Sequence, residues 1–167
     1  MRSSIRMKKH AYLLLGTNLG DRKKNLAQAR KGIEDVVGTI RKTSSIFQTA
    51  AWGNHNQPYF WNQALTVETE LSAPKVLHAI LAIEQSLGRV RKEKWGERII
   101  DIDILIFEVD IINSPTLKIP HPELPNRRFA LEPLAEIAGE LIHPVHGITI
   151  GTLLQLCTDE LPVMKVE

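Results

Sequence analysis

The chain has 167 residues, 43% of them hydrophobic and 24% charged, which is enough apolar material for one globular domain with its own core. A formal net charge of +2 at pH 7 excludes a protein that binds nucleic acid through its overall charge, so electrostatic function has to come from local clusters. One cysteine, Cys157, excludes an internal disulfide, and no apolar run reaches the ~18 residues of a membrane span, so we expect a cytoplasmic protein.

The first half of the chain predicts a strand, a helix and two further strands. A short apolar run at 11–15 predicts the first strand, which ends in the turn GTNLGD. Four apolar residues then recur at helical spacing: Leu26, Ala29, Ile33 and Val36. β-branched residues over 39–47 predict a second strand, and the alternation over 61–70 predicts a third.

The second half predicts a helix, an acidic strand and C-terminal additions. Ser72 and Pro74 are typical of a helix start and Gly88 of a helix end. The order β-α-β-β-α-β predicts an α+β fold, a ferredoxin-like antiparallel sheet with helices on one face and the other face left free. We expect residues 1–9 to be an N-terminal extension, 10–160 a single domain and 161–167 a tail.

Two aspartates interrupt the apolar stretch WGERIIDIDIL at 95–105. Asp101 and Asp103 are two positions apart, so on an extended strand both side chains point to one face and the isoleucines to the other. Two carboxylates within roughly 7 Å of each other repel unless water or a cation lies between them. The stretch therefore predicts a cation site.

A basic loop immediately precedes the aspartate pair. Five cations surround one tryptophan, Trp95: Arg89, Arg91, Lys92, Lys94 and Arg98. Arg and Lys donors suit phosphate oxygens, and magnesium is typically held by one or two carboxylates together with substrate phosphates. The pairing predicts a magnesium–nucleotide site, with a solvated charged loop as the alternative. Because GxGxxG and GxxxxGK[ST] are absent, side chains have to hold the nucleotide.

Histidines give weaker signals. His143 and His146, in HPVH, have a spacing that suits a metal, but with no cysteine or acidic partner nearby we expect a surface turn. His121 lies beside Arg127 and Arg128 in a proline-rich loop, where a phosphate contact and the absence of any role are equally open.

The few aromatic residues leave two interpretations open. Trp52, Phe60, Trp61 and Phe129 either stack on a flat ligand or pack in the core. Asn62, beside two of them, has an amide that can read the edge of a heterocycle or cap a loop.

Four segments, in order, resemble the 6-hydroxymethyl-7,8-dihydropterin pyrophosphokinase family. They are GTNLGD, TAAWG with QPYFWNQA, E(x)4RVRKEKWGERIIDIDIL, and PHPELPNRRFALEPLAEI. The resemblance implies an ATP-dependent enzyme that transfers pyrophosphate to the hydroxymethyl group of 6-hydroxymethyl-7,8-dihydropterin and releases AMP, in folate biosynthesis. It implies ATP as co-substrate, two magnesium ions and no nucleic-acid or membrane partner, and we expect a monomer.

The resemblance also implies a role for each matching residue. The magnesium ligands would be Asp101 and Asp103, and the catalytic set Arg89, Arg98 and Asp103. The nucleotide would be bound by seven residues: Glu84, Arg91, Lys92, Trp95, Ile104, His121 and Arg127. The pterin would stack between Phe60 and Phe129, with its edge read by Asn62 and by main-chain groups of Thr49, Ala50 and Trp52.

Two departures and two rival functions accompany the resemblance. Ala50 stands where the family often has proline, and the step from Lys92 to Trp95 is one residue shorter than in some members. An RNA-binding ferredoxin-like module fits poorly, since the RNA-recognition signature is absent and the carboxylates repel a phosphate backbone. A magnesium-dependent nuclease shares the acid pair and the basic loop but needs no ATP.

Overall fold

The computed structural model of the protein describes residues 7–50, 58–88 and 99–166. Its strands are β1 (Lys9–Thr17), β2 (Thr39–Thr43), β3 (Phe47–Thr49), β4 (Phe60–Thr69), β5 (Asp101–Phe107), β6 (Ile112–Asn113), β7 (Lys118–Ile119) and β8 (Val163–Lys165). Its helices are α1 (Arg22–Val36), α2 (Ala73–Ser86), α3 (Arg128–Ala138) and α4 (Ile150–Leu156), with a 3-10 turn at Leu124–Asn126. Within the described ranges, no helix combines the length and the apolar character that crossing a membrane requires.

Six strands form one antiparallel sheet in the order β5-β1-β4-β3-β8, with β2 also paired to β4. The strand predicted over 39–47 is therefore two strands, β2 and β3, on the same neighbour. At the break, Ser44 N donates to Ala64 O at 2.9 Å, and Ser44 Oγ accepts from Ala64 N at 2.8 Å. A side-chain oxygen thus replaces a backbone carbonyl where the strand is interrupted.

The first helical layer, α1 and α2, covers one face of the sheet. Asp21 caps α1, since its Oδ1 accepts from Lys24 N at 3.1 Å. Three of the four predicted apolar positions of α1 are buried in the first core, but Val36 is 55% exposed, and Val37, just past the helix end, is buried instead. Ser72 occupies the N-cap position of α2 without a side-chain hydrogen bond to the helix.

The sheet face that the sequence analysis leaves free is covered, so the prediction of helices on one face alone is wrong. Leu14, Ala64 and Ile106 point to this face and pack in a second core with residues of α3 and α4 such as Leu131 and Leu153. These strands carry apolar side chains on both faces, and leaving one face in water would expose a large apolar area. The C-terminal additions thus form a second helical layer.

The predicted chain ends also take part in the sheet. Lys9, in the expected extension, begins β1, and Val163–Lys165, in the expected tail, form β8. Strand β8 pairs with β3, and beyond it Val166 N donates to Ile46 O at 2.8 Å. The expected extension therefore contributes the first residue of β1, and the expected tail contains β8.

Candidate active site

The acid pair lies on β5, at the edge of the sheet beside β1. Asp101 pairs with Gly16 and Asp103 with Leu14. Ile102 and Ile104 are buried in the first core, whereas both aspartates are partly exposed and belong to the opposite face. This is the alternation that the sequence predicts.

A register shift limits the acidic face to the first half of β5. Leu13 pairs with Ile104 and Tyr12 with Ile106, so Leu105 is an additional residue on β5. Leu105 and Ile106 both pack in the second core. Beyond Asp103 the same face is therefore apolar, and the carboxylates lie at the end of the strand where β5 begins.

A third carboxylate holds the backbone between the two aspartates. Glu84, on α2, is 3% exposed, and its Oε2 accepts a hydrogen bond from Ile102 N at 2.7 Å. This bond satisfies an edge-strand N–H and fixes the peptide that separates the two aspartates. Ile104, 5% exposed, has its side chain in the first core, so any contact with a nucleotide is left to its main-chain atoms.

The donor chemistry of this edge fits magnesium. Asp101 and Asp103 offer hard carboxylate oxygens on one partly exposed face. Among residues 7–50, 58–88 and 99–166, no group of three or more His, Cys, Asp or Glu side chains is placed to hold a metal ion. Two carboxylates without a complete protein cage are typical of a magnesium ion that takes its other ligands from water and substrate phosphates.

A buried amide lies next to the acid pair on the same face. Gly16 on β1 is flanked by Asp101 on β5 and by Asn62 on β4. Asn62 is 3% exposed, and its Nδ2 donates to Thr49 Oγ1 at 3.3 Å. A Cβ on Gly16 would lie 3.1 Å from Asn62 Oδ1 and 4.0 Å from the Phe60 ring. The sequence pattern GTNLGD predicts a turn at Gly16, but the residue is the eighth of β1, and a glycine in a strand is a known signal of close approach.

If Asn62 reads the pterin edge, as the family resemblance implies, Gly16→Ala should weaken pterin binding by about 3- to 10-fold, because the added methyl displaces the Asn62 amide by a few tenths of an ångström. Gly32→Ala on α1 is the matched control, since its Cβ would meet Ile83 at the same 3.1 Å, away from Asn62. Calorimetric titration with the pterin measures both dissociation constants. Equal values for the two variants would contradict the role given to this glycine.

Two phenylalanines lie on the same side of the sheet as this amide, and one tryptophan does not. Phe60 shares the face of Asn62, and Phe129, at the start of α3, packs against the second core, so both half-buried rings lie on that side of the sheet. Trp61 points to the opposite face, where its Nε1 donates to Gln48 Oε1 at 3.0 Å and Arg22 Cζ lies 4.5 Å from its ring centroid. Trp61 is therefore a packing residue rather than part of this site.

His121 and Arg127 lie near the acidic edge. His121 N donates to Leu105 O at 2.9 Å, which lays the loop along β5, and its Nδ1 accepts from Glu123 N at 3.1 Å. Burial, followed by the charge of Arg127, lowers the pKa of His121, while Glu123 and Asp101 act in the opposite direction. A neutral ring with an occupied Nδ1 carries its proton on Nε2, so it can donate to a phosphate oxygen.

The remaining predicted site residues divide into two groups. Thr49 is buried and Ala50 half-buried at the end of β3, next to Asn62. Six residues lie outside the described ranges: Trp52, Arg89, Arg91, Lys92, Trp95 and Arg98. The structure thus places the acid pair, the amide and two aromatic rings on one side of the sheet, and the basic loop remains a prediction from the sequence.

The HPVH segment is a structural turn with a buried histidine. His143 is 3% exposed, which corrects its prediction as a surface residue, and its Nδ1 accepts from Val145 N at 3.1 Å and His146 N at 3.2 Å. Its Nε2 has no hydrogen-bond partner among the described residues. Burial, with a smaller contribution from His146, lowers the pKa of His143 to about 4.

The lowered pKa of His143 predicts that the free energy of unfolding depends on pH. The unfolded chain binds the proton with a pKa near 6.5 and the folded chain only near 4, so the stabilisation is complete above pH 6.5 and is lost as the pH falls towards 4. We expect His143→Asn, whose amide oxygen keeps the backbone contacts, to remove about 2 kcal/mol of the stability loss between pH 7 and pH 4.5. Urea unfolding at pH 7 and 4.5 measures it. His78→Asn, at an exposed position of α2, is the control, and parallel profiles for all three proteins would contradict the assignment.

Comparisons with known proteins match most of the chain. The family model of 7,8-dihydro-6-hydroxymethylpterin-pyrophosphokinase (HPPK) matches residues 12–139. The chain is 40% identical over 135 residues to the 2-amino-4-hydroxy-6-hydroxymethyldihydropteridine pyrophosphokinase of Aquifex aeolicus, covering 81% of this chain and 84% of that protein. It is 41% identical over 145 residues to the enzyme of the same name from Methylorubrum extorquens, covering 86% and 90%.

Solved structures share the fold at lower identity. A crystal structure of wild-type Plasmodium falciparum HPPK-DHPS is similar with a TM-score of 0.72 at 18% identity. The match covers 92% of this chain and 45% of that one, so the chain spans less than half of the solved protein.

Proposed function

The chain belongs to the 7,8-dihydro-6-hydroxymethylpterin-pyrophosphokinase family, and on that premise we propose that it transfers pyrophosphate from ATP to the hydroxymethyl group of 6-hydroxymethyl-7,8-dihydropterin and releases AMP, in folate biosynthesis. One observation supports this above the others. Asp101, Gly16 and Asn62 lie side by side on three neighbouring strands, which sets a carboxylate pair for metal-bound phosphates beside a buried amide for a heterocycle.

The pterin end of the site would consist of the amide and the two phenylalanines. Asn62 is buried, and an amide presents both a donor and an acceptor to the edge of a heterocycle. The half-buried rings of Phe60 and Phe129 offer flat apolar surfaces on the same side of the sheet. Thr49, Ala50 and Trp52 complete the proposed pterin contacts.

The phosphate end would consist of the acid pair and the cations. Asp101 and Asp103 would hold two magnesium ions, which supply positive charge to the phosphates when bound. The proposed nucleotide contacts are Glu84, Arg91, Lys92, Trp95, Ile104, His121 and Arg127. His121, whose pKa is lowered mainly by burial, contributes an N–H donor, and Arg127 contributes a guanidinium that suits phosphate oxygens.

The proposed reaction is an in-line displacement at phosphorus. The hydroxymethyl oxygen of the pterin attacks the β-phosphorus of ATP, the bond from that phosphorus to the oxygen bridging to AMP breaks, and the hydroxyl proton is lost to solvent. The protein contributes position and charge rather than a covalent intermediate, as in phosphoryl transfer generally. Arg89 and Arg98 would stabilise the charge that develops on the transferred group.

Further proposals concern fold, assembly and location. The strand order, with β2 and β3 taken as one interrupted strand, supports a ferredoxin-like topology for the β1-to-β5 part of the sheet. We also propose a monomer with no nucleic-acid partner, and the single cysteine supports a cytoplasmic location. Neither an RNA-binding module nor a nuclease is favoured by a particular observation on the described residues.

The experiment that tests the transfer itself identifies the pterin product. The protein is incubated with magnesium, the pterin and ATP labelled separately at the β and γ phosphates, and the pterin product is analysed by mass spectrometry and for radioactivity. The proposal expects both labels on the pterin, which gains two phosphates. A product that carries the γ label alone would indicate a simple kinase and contradict the proposal.

A further inference from the structure

Arg128 lies between two proposed substrate residues, Arg127 and Phe129, but its own side chain binds the C-terminal part of the chain. Its Nε donates to Asp159 O at 2.9 Å and its Nη2 donates to Cys157 O at 3.0 Å. Two hydrogen bonds from one planar guanidinium hold its direction as well as its distance. We refer to residues 157–166 as the C-terminal strap.

The side chain of Asp159 also binds the start of α3 and caps this helix. Arg127, at the N-cap position, makes no side-chain hydrogen bond to the helix. Instead, Asp159 Oδ2 accepts from Arg128 N at 3.1 Å, and Oδ1 of the same carboxylate accepts from Leu161 N at 3.0 Å. A carboxylate at this position pairs an otherwise unpaired N–H and interacts favourably with the helix dipole. The first turn of α3 is therefore fixed from outside the helix.

The other end of the strap is attached to a second strand that carries a proposed pterin contact. Val163 on β8 pairs with Thr49 on β3. Lys165 Nζ lies 3.1 Å from Glu136 Oε2, so the strap is joined to α3 a second time. One segment of chain thus connects the helix that carries Phe129 with the strand that carries Thr49.

We propose that Asp159 and Arg128 are positioning residues that fix the first turn of α3, so that Arg127 and Phe129 are held ready for the nucleotide and the pterin. The inference rests on the proposed function, because it takes these two neighbours as substrate contacts. Arg127 Cζ lies 5.7 Å from the Phe129 ring centroid, so a displacement of the turn moves both groups together. The strap then sets the affinity for both substrates.

The test replaces Asp159 with asparagine. Asn keeps the size of the side chain, but its NH2 group faces one of the two N–H donors, so one of the two hydrogen bonds is lost together with the charge. We expect the dissociation constants of a non-hydrolysable ATP analogue and of the pterin each to rise by roughly 5- to 20-fold, with kcat at saturation within about 3-fold of wild type. Calorimetry and steady-state kinetics measure these values.

Two further variants serve as controls. Asp35→Asn removes the same charge from an exposed position on α1, where Asp35 pairs with Lys31, and should leave both dissociation constants within about 2-fold. Arg128→Lys keeps the charge but replaces the planar fork of Nε and Nη2 with one freely rotating ammonium group, which no longer fixes the direction of the contact, so it should reproduce the Asp159→Asn effect. It also provides the test if Asp159→Asn does not fold.

A coupling measurement separates positioning from general stability. In a Phe129→Ala background, Asp159→Asn should cause no further loss of pterin affinity but should still weaken the ATP analogue. A lower Tm with both dissociation constants unchanged would overturn the inference and leave the proposed function intact. Failure of the wild-type protein to bind the pterin would overturn both.

Discussion

Replacing Asp103 with alanine is expected to lower kcat by at least about 1,000-fold while the fold persists. Asp103 is partly exposed and paired in register with Leu14, so its removal opens no cavity in either core. Its carboxylate is half of the proposed metal site, and the remaining aspartate alone offers too little charge to hold the magnesium–phosphate complex. Steady-state turnover and circular dichroism together measure the two parts of this expectation.

A matched variant just beyond the same strand shows whether the effect is local. Asp110→Ala removes a carboxylate from the turn that follows β5 and should retain turnover within about 2-fold. Asp103→Ala with native circular dichroism and near-normal turnover would remove this residue from the site. Loss of both turnover and the native spectrum would instead give Asp103 a structural role.

Replacing Asn62 with alanine is expected to weaken pterin binding by about 50- to 100-fold. A buried amide that pairs with the edge of a heterocycle discriminates strongly, because its loss leaves polar groups of the ligand without partners. Asn62 is 3% exposed and pairs with Gly16, so bulk water has little access to the position and does not replace the lost hydrogen bonds. The ATP analogue should bind with nearly unchanged affinity, since strand β1, at Gly16, separates the Asn62 amide on β4 from the proposed phosphate site at Asp101 on β5.

The control for Asn62 is Asn113→Ala, at an exposed position of β6, which should bind both ligands as the wild type does. Fluorescence titration gives the pterin dissociation constant for each variant. If Asn62→Ala weakens the pterin and the ATP analogue to the same extent, the amide supports the whole site and does not read the heterocycle.

Local sequence patterns predict the elements that depend on local spacing. The alternation of aspartate and isoleucine on β5 and the apolar stripe of α1 follow from the periods of strand and helix. The break between β2 and β3 depends on Ser44 meeting Ala64, which is distant in the chain, so no local pattern reveals it. The covered sheet face was missed because the partners of α3 are known only once the sheet is assembled.

The candidate site divides in the same way. Asp101 and Asp103 are found from their spacing alone, because a strand repeats every two residues. The convergence of Asn62 with Gly16 requires the register of two strands, which the sequence analysis did not fix. Asp159 was assigned to the end of the domain, and its role as the cap of α3 rests on a contact across 31 positions of the chain.

The central claim is that this site couples ATP cleavage to the pterin. The purified protein is mixed with ATP and magnesium, with and without 6-hydroxymethyl-7,8-dihydropterin, and the adenine nucleotides are separated by chromatography. We expect AMP only when the pterin is present, in an amount equal to the pterin consumed. ADP as the product, or AMP formed equally without the pterin, would contradict it.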